Sequence, residues 1–333
     1  MQSSEVYTNA VAAQTITFAA DAAATLGLPP IPGQWLAKAA APHLPLTTKL
    51  PESNGAAIHP EYEGYEGGPA DCCSVHPASA DAKPSADDAG AGGDPRAGSG
   101  AGCCIMQSAA ALLQYPLGLP MPVGVMRNDL LYYEPRTRKD GFFTGDSIYS
   151  IAWLALGDPV AALTQWESAF AHMDCTHFCL FREELTGGHS NFITGAGGFL
   201  QNIIQGWAGV RIGADAMTLT NPTLPPSTTA IKLQSLEYCG SAFSVEFNAS
   251  AIAFAMVREA APGVTGLAVS GSGGIRHDLR LGAPPVRFSL APQATFQLVA
   301  IQKNGDGYPP TEVFNRTSGE VFGLSPNGGV LAS

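Results

Sequence analysis

Hydrophobic residues recur with a helical period through the N-terminal part of the chain. Between Glu5 and Gly27 they stand three or four positions apart, and Gly27 followed by Pro29-Pro30 ends the predicted helix. Asp158-Pro159 marks another helix start, because Asp is a good cap and Pro suits the first turn. The same period predicts further helices at 33–41, 105–115, 123–134, 146–156, 158–172 and 196–210. No strand is predicted among them.

After Arg211 the pattern changes to short alternating runs separated by Gly, Pro and Asn. Strands are predicted at 217–219, 231–238, 242–247, 252–258, 266–269, 275–281, 286–290 and 294–301. Strands at this close spacing favour an antiparallel sandwich over βαβ units. We therefore predict an α+β chain of two domains. A helical domain covers 1–212, a β-sandwich covers 213–303, and a loose tail covers 304–333.

Residues 69–104 differ from both predicted domains. They are mostly Ala, Gly, Ser, Asp and Pro, with almost no large apolar side chain. Such a segment buries too little surface to offset the conformational entropy lost on ordering. We predict a disordered insertion in a loop between helices of the first domain.

Composition limits the possible partners. The chain has 333 residues, 45% of them hydrophobic, so it is long enough to bury a substantial core. A net charge of −11 and the lack of a Lys/Arg cluster argue against nucleic acid and anionic membranes as partners. No run reads as a transmembrane helix, and the N-terminus does not resemble a signal peptide. Either the protein is cytoplasmic or its true N-terminus is missing.

The seven cysteines do not predict a disulfide framework. Their odd number and the vicinal pairs Cys72-Cys73 and Cys103-Cys104 favour reduced thiols. A zinc site would use His172, Cys175, His177 and Cys179, or the two vicinal pairs. The first set lacks a second closely spaced pair, and adjacent cysteines diverge along the backbone. We predict core thiols at 175 and 179, with no metal and no cofactor.

The strongest candidate for catalysis lies between Phe178 and Gly209. Two adjacent carboxylates, Glu183 and Glu184, stand in a polar loop that leads into the glycine-rich start of an apolar helix, with Thr194 as its predicted N-cap. A carboxylate just before a fixed helix start is held in place, as a general base must be. The alternative interpretation is a pair of ordinary loop carboxylates.

Motifs in consistent order link this loop to a known family. They are Val6-Tyr7-Thr8-Asn9, the run His59-Pro60-Glu61-Tyr62-Glu63-Gly64-Tyr65, Gln107 with Leu112-Leu113-Gln114-Tyr115-Pro116, Tyr133-Glu134, and Phe178-x-x-Phe181-Arg182-Glu183. Together with the sandwich behind them, they resemble glycoside hydrolase family 65. The resemblance is greatest to its protein-glucosylgalactosylhydroxylysine glucosidase branch, and other relatives include acid trehalase and maltose or kojibiose phosphorylases.

The resemblance implies a fold and an activity. The fold is the C-terminal half of an α/α toroid of six helical hairpins, followed by a jelly-roll-like sandwich. The activity is inversion at an α-glucosidic bond, in which one carboxylic acid protonates the leaving oxygen and a second carboxylate activates water. Glu183 matches the base, and Glu184 does not.

The implied substrate is an α-linked glucosyl disaccharide or a glucosyl-galactosyl glycan. The residues implied in binding it are Gln107, His59, Glu61, Tyr62 and Tyr65. For His59 and Glu61 a helix–loop brace is the alternative, and for the tyrosines a place in the core.

Two departures from the family affect the predicted activity. The general acid of the family lies in a P-D-E-[YF]-H motif before V-Y-T-N, and this chain has no such motif. Met106 also stands where the family has a sugar-binding lysine. We therefore expect part of an enzyme that is inactive alone and needs the N-terminal half as its partner. The alternatives are an inverting disaccharide phosphorylase of the same family and a non-catalytic sugar-binding remnant.

Overall fold

The structure, a computed structural model, describes residues 5–67, 105, 107–137, 143–171, 173–176, 178–184, 190–213, 215–260, 266–301, 323–324 and 330–331. It divides into two compact units. The first takes its described residues from 1–149, 172–195 and 320–333, and the second from 150–171 and 196–319. The predicted insertion at 69–104 lies outside the described residues, as does most of the predicted tail.

The helices lie within a few residues of their predicted positions. They are α1 (Val6–Thr25), α2 (Gly33–Ala40), α3 (Ala109–Gln114), α4 (Val123–Tyr133), α5 (Gly145–Ala155), α6 (Pro159–Ala171) and α7 (Ile193–Gln201). A 3₁₀ turn (Glu134–Arg136) follows α4, and a π-helical turn (Asn202–Trp207) follows α7. The start of α6 is confirmed, because the Ala161 N–H donates to Asp158 Oδ1 at 3.2 Å and Pro159 is the first helical residue. Among the described residues, no helix has the length and apolar character needed to cross a membrane.

The prediction that Thr194 caps the last helix is wrong. α7 begins at Ile193, so Thr194 lies inside its first turn. Just before the helix, the Phe192 N–H donates to the Phe181 carbonyl at 2.8 Å. Asn191 has a φ of 61°, in the left-handed region that Asn tolerates better than most residues. The turn at Asn191 and the backbone contact of Phe192 with Phe181 thus fix where this helix starts. Neither can be read from the type of residue at the predicted N-cap.

In the first unit, α1 packs against α2 and α3, and α3 packs against α4. The buried side chains between α1 and α3 are small or medium-sized: Val6, Ala10, Ala109 and Leu113. By contrast, α2 has no buried residue. The α1–α3–α4 group supports the loop at 59–65.

The described strands form antiparallel pairs. They are β1 (Val210–Ile212), β2 (Met217–Thr220), β3 (Ala230–Tyr238), β4 (Ser241–Asn248), β5 (Ala251–Arg258), β6 (Gly266–Ser270), β7 (Arg276–Leu279), β8 (Val286–Ser289), β9 (Thr295–Ile301), β10 (Gly323–Leu324) and β11 (Val330–Leu331). One sheet has the order β1-β2-β9-β6-β7, a second β3-β4-β5-β8, and β10 pairs with β11. Thus β2 to β9 correspond to the predicted strands. The sequence does not predict β1, nor the pairing inside the tail.

The two larger sheets share one apolar core. Phe243, Val245 and Phe254 come from the four-stranded sheet, and Leu219 and Phe296 come from the five-stranded sheet. All five residues are at most 2% exposed. The alternating pattern after Arg211 therefore marks strands that bury one face between two antiparallel sheets. The α+β class is confirmed.

The prediction of reduced core thiols at 175 and 179 is wrong, because the structure joins Cys175 and Cys179 in a disulfide. The segment folds back on itself there. Asp174 and Leu180 exchange two backbone hydrogen bonds of 2.9 Å, and the Cα atoms of the cysteines lie 3.9 Å apart. His172, His177 and the vicinal pairs Cys72-Cys73 and Cys103-Cys104 lie outside the described residues.

Candidate active site

A buried histidine–aspartate pair begins the 59–65 loop. His59 Nδ1 lies 2.8 Å from Asp129 Oδ2, and the backbone N–H of His59 donates to Asp129 Oδ1 at 2.9 Å. The hydroxyl of Tyr133 donates to the His59 carbonyl at 2.6 Å. Asp129 and Tyr133 are one helical turn apart on α4, so a single helix holds His59 by its ring, its amide and its carbonyl.

Glu61 turns from the same loop towards the start of α3. Its carboxylate accepts from the Ser108 hydroxyl at 2.7 Å and from the Ala109 N–H at 2.6 Å. A longer contact of 3.5 Å joins it to the Ala110 N–H. Burial raises the pKa of Glu61 to about 7, although these donors favour the charged form. The contacts are those of a brace between the loop and the helix.

Aromatic rings cover the rest of the loop. Tyr62 and Tyr65 meet edge to face with ring centroids 5.4 Å apart, and Tyr65 lies 6.0 Å from Tyr133. Both loop tyrosines are half-buried. The hydroxyl of Tyr65 is buried and has no hydrogen-bond partner among the described residues. A buried hydroxyl without a partner costs free energy, so this atom is suited to a ligand hydroxyl.

The segment at 143–144 connects Gln107 to Glu183. The Gln107 Nε2 donates to the Thr144 hydroxyl, and the Phe143 N–H donates to the Glu183 carbonyl at 3.2 Å. Gln107 is exposed, and Glu183 and Glu184 are both half-buried. Gln107 and Glu183 thus contact adjacent residues, Thr144 and Phe143, within the first unit.

A compact turn holds the chain just before Glu183. Arg182 and Asp174 form an ion pair at 2.5 Å, and the Thr176 hydroxyl donates to Asp174 at 2.7 Å. Hydrogen bonds from Thr176 and then from Arg182 lower the pKa of Asp174 to about 2. The disulfide closes the same turn. Glu183 therefore follows a segment fixed by covalent and charged contacts, which suits a residue that must be positioned.

Sequence reasoning did not single out Asp129, Ser108 or Thr144. Asp129 follows Arg127 and Asn128 in the sequence, so only the structure shows that its carboxylate is wholly buried and needs a partner. Ser108 and Thr144 carry no signal in the sequence either, since hydroxyl residues are common at helix starts and in turns. Among the described residues, no group of three or more His, Cys, Asp or Glu side chains is arranged to bind a metal.

Comparison with known proteins finds similar sequences among glycoside hydrolases. No model of a protein family matches the chain. The protein-glucosylgalactosylhydroxylysine glucosidase of Dictyostelium discoideum is 38% identical over 153 residues, which are 46% of this chain and 21% of that protein. The mouse (Mus musculus) protein of the same name is 28% identical over 258 residues, 77% of this chain and 31% of its own length. A kojibiose hydrolase of Mucilaginibacter mallensis is 28% identical over 130 residues, 39% of this chain and 19% of that protein.

These matches relate the chain to glycoside hydrolases. They confirm the resemblance to glycoside hydrolase family 65, in its protein-glucosylgalactosylhydroxylysine glucosidase branch. The matched part is less than a third of the length of each relative.

Proposed function

We propose that this chain is the base-bearing part of an inverting α-glucoside hydrolase, in which Glu183 activates water. The helices then belong to the C-terminal half of an α/α toroid, and the antiparallel sheets to its jelly-roll-like domain. The relatives are named for a glucosylgalactosyl-hydroxylysine substrate and for kojibiose. Both names support an α-linked glucosyl disaccharide or glucosyl-galactosyl glycan as the substrate here.

The observation that carries this proposal is a continuous series of contacts from the 59–65 loop to Glu183. The Glu61 carboxylate accepts a hydrogen bond from Ser108, the residue after Gln107. The Gln107 side chain donates to Thr144. The N–H of Phe143, the residue before Thr144, donates to the Glu183 carbonyl at 3.2 Å. Segments far apart in sequence, each matching a family motif, therefore meet in one unit. An assembly of this kind is what a sugar site with a positioned base requires.

The proposed mechanism assigns one step to this chain. Glu183 takes a proton from water as the water attacks the anomeric carbon from the face opposite the leaving oxygen. The carboxyl groups of an inverting pair stand about 6.5–9.5 Å apart, which leaves room for that water. The acid that protonates the leaving oxygen comes from a part of the enzyme outside these 333 residues. Gln107, His59, Tyr62 and Tyr65 form the side of the sugar site that this chain supplies, and Glu61 braces the 59–65 loop against α3.

The α1–α2 hairpin supports the need for a partner. Phe18, Leu26, Leu28 and Trp35 are between 50% and 73% exposed. Val6–Ala40 carries only Asp21 and Lys38 as charged residues, and exposed apolar side chains that lie close together mark an interaction surface. We propose that the acid-bearing N-terminal half of the enzyme covers this end of the hairpin.

Two measurements on the purified chain test the proposal. Saturation-transfer NMR should detect binding of kojibiose, and an assay of released glucose should detect no turnover, because a general acid supplies roughly 10²–10⁴-fold of the rate. Cellobiose, a β-linked isomer, serves as the control ligand. Absence of kojibiose binding would overturn the sugar site. Turnover that persists in Glu183→Gln would overturn the division of acid and base, and turnover that requires phosphate would indicate a phosphorylase.

A further inference from the structure

Asp129 is a buried carboxylate that none of the family motifs includes. Its side chain is 0% exposed and that of His59 is 6% exposed. Each carboxylate oxygen accepts from a different donor of His59, one from the ring and one from the backbone. Burial raises the pKa of Asp129 above its ordinary value, while the bonds from His59 lower it. The charge of Asp129 is therefore stabilised chiefly by His59.

The contact with Asp129 favours one protonation state of the His59 ring. An ionised carboxylate only accepts hydrogen bonds, so an ionised Asp129 requires the proton on Nδ1, which lies 2.8 Å from its Oδ2. In the neutral ring, Nε2 is then left without a proton and acts as an acceptor. Among the described residues, none donates a hydrogen bond to Nε2. A carboxylate that fixes the tautomer of a histidine in this way sets what the other nitrogen can bind.

We infer that Asp129 is a positioning residue, which fixes His59 in the Nδ1–H tautomer so that Nε2 accepts a hydrogen bond from a substrate hydroxyl. The substrate part of this inference rests on the proposed function, whereas the tautomer does not. Tyr133 adds an independent anchor, since its hydroxyl bonds the His59 carbonyl at 2.6 Å without touching the ring. Ring orientation and loop position therefore have separate supports and can be tested separately.

The test is the protonation state of His59 in the ¹⁵N-labelled chain, read from long-range ¹H–¹⁵N correlations of the imidazole rings. In the neutral ring, Nδ1 should give the signal of a protonated nitrogen and Nε2 that of an unprotonated one. His59→Gln identifies the His59 signals by their loss. In Asp129→Asn the amide keeps one oxygen for the backbone N–H, but its NH₂ faces Nδ1. The proton should then move to Nε2.

Matched variants separate positioning from general stability. Asp21→Asn makes the same chemical change at an exposed residue of α1 and should leave the His59 signals unchanged. Tyr133→Phe removes one anchor and should lower the melting temperature without moving the proton. Wild-type chain with the proton on Nε2, or an Asp129→Asn chain that keeps it on Nδ1, would overturn the inference.

Binding measured on the same samples tests the substrate part. Kojibiose affinity should fall about tenfold in Asp129→Asn, which corresponds to about 1.4 kcal/mol, and should be unchanged in Asp21→Asn. A proton shift with unchanged affinity would overturn the hydroxyl contact and leave the positioning role standing. If no form of the chain binds kojibiose but His59 has the predicted tautomer, the result counts against the proposed function and not against the positioning role of Asp129.

Discussion

At the scale of single residues, Glu61 shows how burial and hydrogen bonding oppose each other. Its pKa is about 7 in the folded chain, against an ordinary value of 4.5. The folded state therefore holds a proton in this pH range that the unfolded state has already released. The stability linked to this proton is fully present below pH 4.5 and is lost as the pH rises through 7.

Glu61→Gln should remove this dependence. The difference in free energy of unfolding between wild type and variant should change with pH by no more than about 1.4 kcal/mol per unit. Chemical unfolding at a series of pH values between 4.5 and 7 measures it. Glu66→Gln, at an exposed residue directly after the 59–65 loop, is the control and should follow wild type. Parallel curves for wild type and Glu61→Gln would show that folding leaves the pKa of this carboxyl unchanged.

The sequence predicts which residues belong to the 59–65 loop, but not which way they turn. His59 is held by Asp129 across 70 positions, and Glu61 by Ser108 across 47. Such contacts depend on how α3 and α4 pack, which no local pattern contains. Glu183 depends on both kinds of contact, because the preceding Arg182 pairs with nearby Asp174, whereas the Glu183 carbonyl accepts from the distant Phe143 N–H.

At the scale of elements, α6 offers a simple test of the capping rule. Asp158→Ala removes the acceptor of the Ala161 N–H and should lower the free energy of unfolding by about 1 kcal/mol. Thermal or urea unfolding measures the change. Asp158→Asn keeps a side-chain oxygen and should cost much less. Equal losses in both variants would mean that the charge of Asp158, and not its cap, stabilises the helix.

The predictions of helices and strands were correct where one hydrophobic period persists for several residues. Strands β3, β4 and β5 alternate over eight or nine residues and bury one face in a shared core, so their limits were predictable. β1 has only three residues, too few to show a period. The start of α7 and the Cys175–Cys179 disulfide depend on backbone reversals around 174–182, which composition does not reveal.

At the scale of the whole molecule, the exposed end of the α1–α2 hairpin should dominate the behaviour of the isolated chain. Leu28 and Trp35 are 56% and 50% exposed, and apolar surface of this kind promotes association. The double variant Leu28→Ser and Trp35→Ser should reduce self-association in light scattering and lower the binding of a hydrophobic dye.

The control for that prediction is Ile275→Ser. Ile275 is 69% exposed but lies in the other unit, so its replacement should change little. A wild-type chain that stays monomeric and binds no dye would contradict the claim that this surface needs a partner.

The role of Glu183 as the base can be tested by one kinetic comparison. In a longer enzyme that joins this chain to the proposed acid-bearing half, kcat is measured for Glu183→Gln and for Glu184→Gln. We expect Glu183→Gln to lower kcat by about 10²–10⁴-fold with little change in KM, and azide to restore turnover partly by replacing the activated water. Glu184→Gln should stay near wild type. A collapse of kcat in Glu184→Gln with an active Glu183→Gln would show that Glu183 is not the base.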